Sequence, residues 1–422
     1  MTDIAKSFGL LRLPDSIAFG DGCRAGIART VASLGNRALV VCDPFLSSTE
    51  PFTELLAELE ALDVTVAVDT QVVPELPVAV VKEAIERARE TRPHVIVGFG
   101  GGSALDLAKL IALGVAHGTP LSRFYGENQV PGQVIPLVAV PTTSGTGSEV
   151  TPVAVLADPD RDLKVGISSP YLIPKAAFVD PRLMVGAPAA VTASAGADAL
   201  VHAVEAYTAS NHAPQWDDQL PVFVGENLLS STLALEAIRL IGLSLRNAVS
   251  NGEDFEARSG MAYASLLAGM AFGTAGTHLS HAIQYPVGAL THTPHGLGTG
   301  MLLPYVMQAL LATDATRLAS IAEALGVPAG SIVESAQNAI SEVASIMADI
   351  GLPHDLASIG VTEADLPRII ELSLTVRRLV TNSVLEPTEE NLHHIVRAAF
   401  DRDRTELTPL PTIASNESET YK

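Results

Sequence analysis

An α/β domain followed by an all-helical domain is the fold class that the sequence predicts, and three observations predict it. From residue 15 to about 185, short β-rich runs alternate with helical patterns. After residue 188, nearly every long segment carries helical periodicity alone. The 422 residues suffice for two or three domains, and 47% hydrophobic against 17% charged residues supplies sizeable cores. The expected division is 1–185 and 186–422.

In the first part, 37–42 (RALVVC), 64–68 (VTVAV), 94–99 (HVIVGF) and 137–140 (LVAV) read as buried parallel strands, and 53–61, 78–92 and 103–117 as the helices between them. Such alternation implies a parallel sheet covered on both faces, with ligands bound beyond the carboxyl ends of its strands. The turn GFGGGS (98–103) lies there and opens a helix. Its glycines let backbone approach a pyrophosphate, and free amides at the helix start attract negative charge. A second turn, PTTSGTGSE (141–149), offers hydroxyls and amides to ribose, phosphate or a nicotinamide amide. Asp43, just after strand 37–42, stands where a carboxylate accepts from adenosine ribose hydroxyls and repels a 2′-phosphate, which favours NAD(H) over NADP(H).

In the second part, 197–209, 226–249, 255–272, 298–312, 315–325, 332–350 and 388–400 read as helices. The interruption 210–225 (SNHAPQWDDQLPVFVG) holds the only tryptophan, Trp216, expected at the cleft, at a subunit contact or simply at the surface. The stretch 271–304 carries four of the eleven histidines, His278, His281, His292 and His295, among glycines and prolines that break an apolar helical pattern. Neutral imidazole is a common metal ligand, and Asp198 and His202, four apart on one helical face, can hold the same ion. Spacing alone leaves open which of the four histidines join them.

A net charge of −21 without a basic cluster argues against nucleic-acid or anionic-membrane partners. The first residues lack the pattern of a secretory leader and no apolar run reaches spanning length, so a cytoplasmic protein is expected. Cys23 and Cys42 form no disulfide framework, and Cys42 reads as a small buried hydrophobe. The tail beyond residue 407 reads as flexible.

Four motifs, GGGSALDLAK (100–109), PTTSGTGSEVT (141–151), GADALVHAVEAY (196–207) and TPHG (293–296), together resemble the iron-containing, or group III, alcohol dehydrogenases over nearly the whole chain. The resemblance implies a dehydroquinate synthase-like architecture, with a dinucleotide-binding α/β domain, a helical domain and a divalent metal between them. It implies Asp198, His202, His281 and His295 as ligands of Fe²⁺, with Zn²⁺ or another divalent ion as alternatives, and leaves His278 and His292 as cleft lining or exposed residues. For NAD(H) it implies Asp43, Gly101, Gly102, Ser103, Asp106, Thr142, Thr143, Thr146, Lys164 and Leu183.

The implied activity is hydride transfer between the nicotinamide and a small alcohol or aldehyde whose oxygen the metal polarises, in a homodimer or higher homo-oligomer. His281 and Tyr285 are the implied catalytic residues. Tyr285 stands where many members have a histidine suited to proton relay, and Glu75, in Pro74-Glu-Leu-Pro77, replaces a polar cofactor neighbour. Both departures resemble a hydroxyacid–oxoacid transhydrogenase-like branch or a reductase of an acidic aldehyde, of the succinic semialdehyde or phosphonoacetaldehyde type. An acid substrate needs a cation in the cleft, for which Arg377 and Arg378 are candidates. A lyase related to dehydroquinate synthase is the competing reading.

Overall fold

The computed structural model describes residues 4, 7–161 and 163–407, so the tail beyond 407 lies outside the described residues. Strands β1 (Ser16–Phe19), β2 (Arg37–Cys42), β3 (Thr65–Asp69), β4 (Val95–Gly100), β5 (Gly126–Glu127), β6 (Leu137–Pro141), β7 (Val153–Asp158), β8 (Leu163–Ser168) and β9 (Ala176–Val179) accompany helices α1 (Ile27–Leu34), α2 (Glu50–Ala61), α3 (Val78–Thr91) and α4 (Gly102–His117). Six strands make one parallel sheet in the order β1-β9-β6-β4-β2-β3.

Alternation along β2 shows why continuous apolar runs were needed. Leu39 and Val41 pack with α3 and α4, while Ala38, Val40 and Cys42 pack with α1 and α2 on the other face. Cys42 is fully buried, as its apolar setting predicts.

The four strands and three helices read from the sequence are present, with ends shifted by a few residues. One region departs from the alternation: β7 and β8 form an antiparallel hairpin that joins β5 in a separate sheet. This hairpin carries Lys164.

Beyond residue 188 the protein is helical: α5 (Ala189–Thr208), α6 (Leu228–Ser250), α7 (Phe255–Ala275), α8 (Leu279–Thr291), α9 (His295–Ala324), α10 (Ile332–Asp349), α11 (Leu366–Thr375), α12 (Arg377–Val380) and α13 (Glu389–Asp401). The stretch 271–304 is less broken than its glycines and prolines suggest. Pro286 is accommodated inside α8 and Pro304 inside α9, and the breaks fall at Gly276 and at His292–Pro294. Segments 298–312 and 315–325 are one run, α9, kinked at Asp314.

Two helices, Leu228–Ser250 and His295–Ala324, do have the length and composition of a membrane span, which corrects the expectation that no apolar run is that long. The second is mostly buried within the helical core, which accounts for its apolarity.

Candidate functional site

A cleft of about 740 Å³ separates the sheet's carboxyl edge from the helical core, and it draws lining residues from both parts of the chain. On one wall α5 presents Asp198 and His202, four apart, and Glu205, three further along the same face, is buried behind them. Helix α8 adds His281 and Tyr285 one turn apart, and His295 opens α9.

The nitrogens Nε2 of His202, His281 and His295 stand 3.8, 3.9 and 3.8 Å from carboxylate oxygens of Asp198. These gaps exceed hydrogen bonds, yet fall inside the ~4.4 Å that two ligand bonds of about 2.2 Å to one ion can span. Ligand atoms of Asp198, His202 and His281 all lie within 4.8 Å of one another. His295 joins through Asp198 and is the most open of the four, its side chain 32% exposed.

Second contacts fix the rings of His281 and His202, whereas the Nδ1 of His295 has no partner. Glu205 accepts from His281 Nδ1 at 2.7 Å, and from the amides of His278 and Ser280 at 2.8 and 2.6 Å. His281 must therefore carry its proton on Nδ1, which leaves the Nε2 lone pair buried without a hydrogen-bond partner. His202 Nδ1 donates to the Gly145 carbonyl at 3.2 Å, freeing its own Nε2 likewise. A side chain at Gly145 would stand 2.6 Å from the Ala195 carbonyl, so only glycine brings that oxygen so close to α5.

Thr299, one turn after His295, donates to Asp198 Oδ1 at 3.0 Å. A buried imidazole lone pair aimed at a carboxylate is the donor set of a divalent cation, and carboxylate–histidine pairs of the Glu205–His281 kind commonly orient such ligands.

Electrostatics agree with that fit. Burial pushes His202 down to about 4, with Asp198 pulling the other way, so the ring is neutral near pH 7. Burial raises Asp198, but the facing histidines and Thr299 more than offset it and the carboxyl titrates below its ordinary value. Burial likewise raises Glu205, and His278 and His281 outweigh it, bringing the group down to about 2.

The opposite wall belongs to the two loops. β4 runs to Gly100 and α4 begins at Gly102, so the glycine turn is tighter than 98–103 suggested. Gly102, Ser103, Asp106, Thr146 and Lys164 line the cleft. Asp43 accepts from the Gly101 amide at 3.1 Å, and burial raises its pKa while that bond lowers it. Asp106 is no ordinary first-turn acid: it is buried, and it accepts from Ser148 Oγ at 2.6 Å and from the Val155 amide at 2.9 Å, tying α4 to the second loop. Thr142 and Thr143 border a separate small pocket with Met184, and Leu183 packs with the Phe99 cluster; neither group lines the cleft.

Lys164 reaches across to Glu75, Nζ to Oε1 2.7 Å, and both residues face the cleft. Tyr285 is buried beside His295, ring centroids 6.2 Å apart, and its hydroxyl meets the Arg378 guanidinium. Of the two candidate arginines, Arg378 lines the cleft and Arg377 is exposed.

One expectation needs correction. His278 lines no cleft and is not exposed: it is fully buried, caps α8 through Nδ1 and bonds Thr208 at 2.9 Å. Its partner His292 is exposed at the cleft rim. Trp216 is 61% exposed, at the surface as one of its expected placements has it, and lies edge-on to Phe8, whereas Phe223 of the same loop reaches the cleft. Glu205, Thr299 and Gly145 were not singled out at all. Glu205 was within reach, lying on the Asp198–His202 face inside GADALVHAVEAY (196–207); a carbonyl such as that of Gly145 leaves no side-chain signal.

Residues 14–181 match the sequence family described as iron-containing alcohol dehydrogenase, and residues 192–400 match the C-terminal part of the Fe-containing alcohol dehydrogenase family. The chain belongs to the iron-containing alcohol dehydrogenase family. Among its relatives is long-chain-alcohol dehydrogenase 1 of Geobacillus thermodenitrificans, 38% identical over 86% of this chain and 89% of that one. The NAD-dependent methanol dehydrogenase of Bacillus methanolicus is 35% identical over 84% of this chain and 90% of its own length. A solved 1,3-propanediol oxidoreductase superposes with a TM-score of 0.84 at 34% identity, covering 93% of this dehydrogenase and 100% of that chain. This dehydrogenase is accordingly an oxidoreductase acting on alcohols or aldehydes, of the family that uses NAD and iron.

Proposed function

We propose that this dehydrogenase moves hydride between NAD(H) and a small alcohol or aldehyde at a divalent metal held by Asp198, His202, His281 and His295. Residues 1–185 act as the dinucleotide-binding domain and 186–422 as the metal and substrate domain. The carrying observation is the partnerless Nε2 of His281, aimed at Asp198 and backed by Glu205.

When bound, iron supplies Lewis acidity toward an alcohol or carbonyl oxygen, and the nicotinamide supplies or accepts hydride. The protein's residues do the rest. Glu205 fixes the His281 tautomer, and the Gly145 carbonyl fixes that of His202. Phe272 stacks on His202 with centroids 4.0 Å apart and helps to exclude water. The amides and hydroxyls of Gly101, Gly102, Ser103 and Thr146 receive the pyrophosphate, with Thr142, Thr143 and Leu183 along the rest of the dinucleotide and Asp43 at the adenosine ribose. Lys164, with Glu75, faces the nicotinamide ribose, and Asp106 holds the second loop against α4. Tyr285 keeps its phenol proton, since burial raises its pKa although Arg378 opposes the rise, and so holds a proton beside the site. The family resemblance further supports a cytoplasmic homodimer that binds small molecules rather than nucleic acid or membrane.

The test is oxidation of a panel of primary alcohols with NAD⁺ in protein loaded with Fe²⁺ or Zn²⁺, together with metal content after gel filtration. His281→Ala is expected to lose metal, and Glu205→Gln to bind it about 10–100-fold more weakly. Full metal content in His281→Ala would sink the ligand set.

A further inference from the structure

A guanidinium partly withdrawn from water is stabilised by a counter-charge or a full set of acceptors. Several partly buried arginines elsewhere in this protein have one or the other, although Arg12 bonds a single carbonyl, that of Val222, and Arg404 buries an Nη1 without a partner. Arg317 pairs with Asp314 at 2.7 Å, and Arg246 with Glu342 and Asp349 at 2.8 and 2.7 Å. Arg258, without a carboxylate, spends its donors on the carbonyls of Gly252 and Ala187 and on Thr192 Oγ1.

Arg378 has neither. Its guanidinium lies 4.7 Å above the Phe223 ring and meets the Tyr285 hydroxyl, and no carboxylate lies within 4.0 Å of it among the described residues. Five N–H donors and one phenol leave the group open on the cleft side. In a chain with 47 acidic and 26 basic residues, a cleft cation kept clear of acids points to an anion that arrives with the ligand.

The position says which ligand. Tyr285 touches Arg378 through its hydroxyl and stands beside His295 through its ring. The cation is thus one phenol's length from the metal-ligand cluster, on the helical side of the cleft. The pyrophosphate turn is on the opposite wall, at the start of α4. An anion at Arg378 therefore belongs to the substrate and not to the dinucleotide phosphates.

Resting on the activity proposed above, we infer that Arg378 is a specificity-determining residue for a substrate with an alcohol or aldehyde at one end and an oxoanion, a few carbons away, at the other. The planar fork accepts such a group through two parallel hydrogen bonds, while Phe223 and Tyr285 hold the fork in plane. A short hydroxyacid and its oxo counterpart have this form, and so does a hydroxyalkane sulfonate.

The experiment compares kcat/KM of the metal-loaded enzyme for γ-hydroxybutyrate, isethionate and n-butanol with NAD⁺. It also measures calorimetric binding of succinate, which has two anionic ends and nothing to oxidise. Wild type is expected to favour at least one anionic substrate over n-butanol; the favoured one distinguishes carboxylate from sulfonate. In Arg378→Ala the acid-to-alcohol ratio is expected to fall about 10–100-fold, with a matching loss of succinate affinity. Arg378→Lys keeps the charge without the fork and retains part of the ratio. The exposed neighbour Arg377→Ala is the control and keeps the wild-type ratio.

A wild type that favours n-butanol over both anions, or a ratio unchanged in Arg378→Ala, overturns the inference while leaving the dehydrogenase reading intact. Absence of any turnover sinks that reading instead. Succinate binding by wild type but not by Arg378→Ala then still supports the anion site, and equal binding by both overturns it.

Discussion

Glu149 ends the second polar loop inside the protein, 3% exposed, where burial is the main influence on its carboxyl. That burial pushes its pKa up to about 7, with its own amide and Lys109 pulling back. Lys109 is itself buried, donates to the carbonyls of Thr151 and Val153 at 2.8 and 2.9 Å, and is pushed down to about 8 by burial against the pull of Asp106 and Glu149. Between its unfolded value near 4.5 and about 7, the native state holds the Glu149 proton and the unfolded state does not. The contribution to stability is therefore full below pH 4.5 and is lost as pH rises through 7. Glu149→Gln cannot ionise and should lose this dependence. The difference in urea-unfolding free energy between pH 5 and pH 8 should change by roughly 2–3 kcal/mol relative to wild type. An identical pH dependence in both proteins would show that the carboxyl finds solvation on ionising.

The same loop depends on a helix for its shape. Gly147 adopts φ 60°, in the left-handed region, and sits directly on Gly269 of α7. A Cβ at Gly269 would stand 2.7 Å from Gly147 Cα, and one at Gly147 2.4 Å from Gly269 Cα. Both obstacles are backbone, so neither can turn aside. This contact sets α7 against the loop, and with it Phe272 against His202 and the Gly145 carbonyl against the same ring. Gly269→Ala is expected to cost about 1–3 kcal/mol in urea unfolding by overpacking. It should also raise KM for NAD⁺, since Thr146 moves with the loop. A variant as stable as wild type, with unaltered KM, would mean that the helix and loop separate freely.

At the scale of the molecule, the sequence carried the architecture wherever local pattern and tertiary demand coincide. Strands 37–42 and 94–99 are apolar because both faces are covered, so their burial could be read from composition alone. The β7–β8 hairpin was missed because it lies outside that sandwich and lacks its continuous apolar pattern. Asp198 and His202 declared themselves through helical spacing, whereas what separates His281 from His278 is packing: both nitrogens of His278 are bonded, to the Leu279 amide and to Thr208, while the Nε2 of His281 faces Asp198 without a partner. Arg378 could be named as a candidate, but its place in the cleft depends on how α12 packs against α8.

One molecule-wide property bears directly on function: a net charge of −21 surrounds a cleft that must admit an anionic dinucleotide. Long-range repulsion is screened strongly as the Debye length falls from about 30 Å at 0.01 M salt to about 10 Å at 0.1 M. The groups proposed above to contact NADH, the loop amides and Lys164, line the cleft, where screening is weak. The repulsive part is therefore lost first, and KM for NADH should fall severalfold over that range while kcat for a neutral aldehyde stays level. A KM that rises with salt would mean instead that the local cationic contacts outweigh the field of the whole molecule.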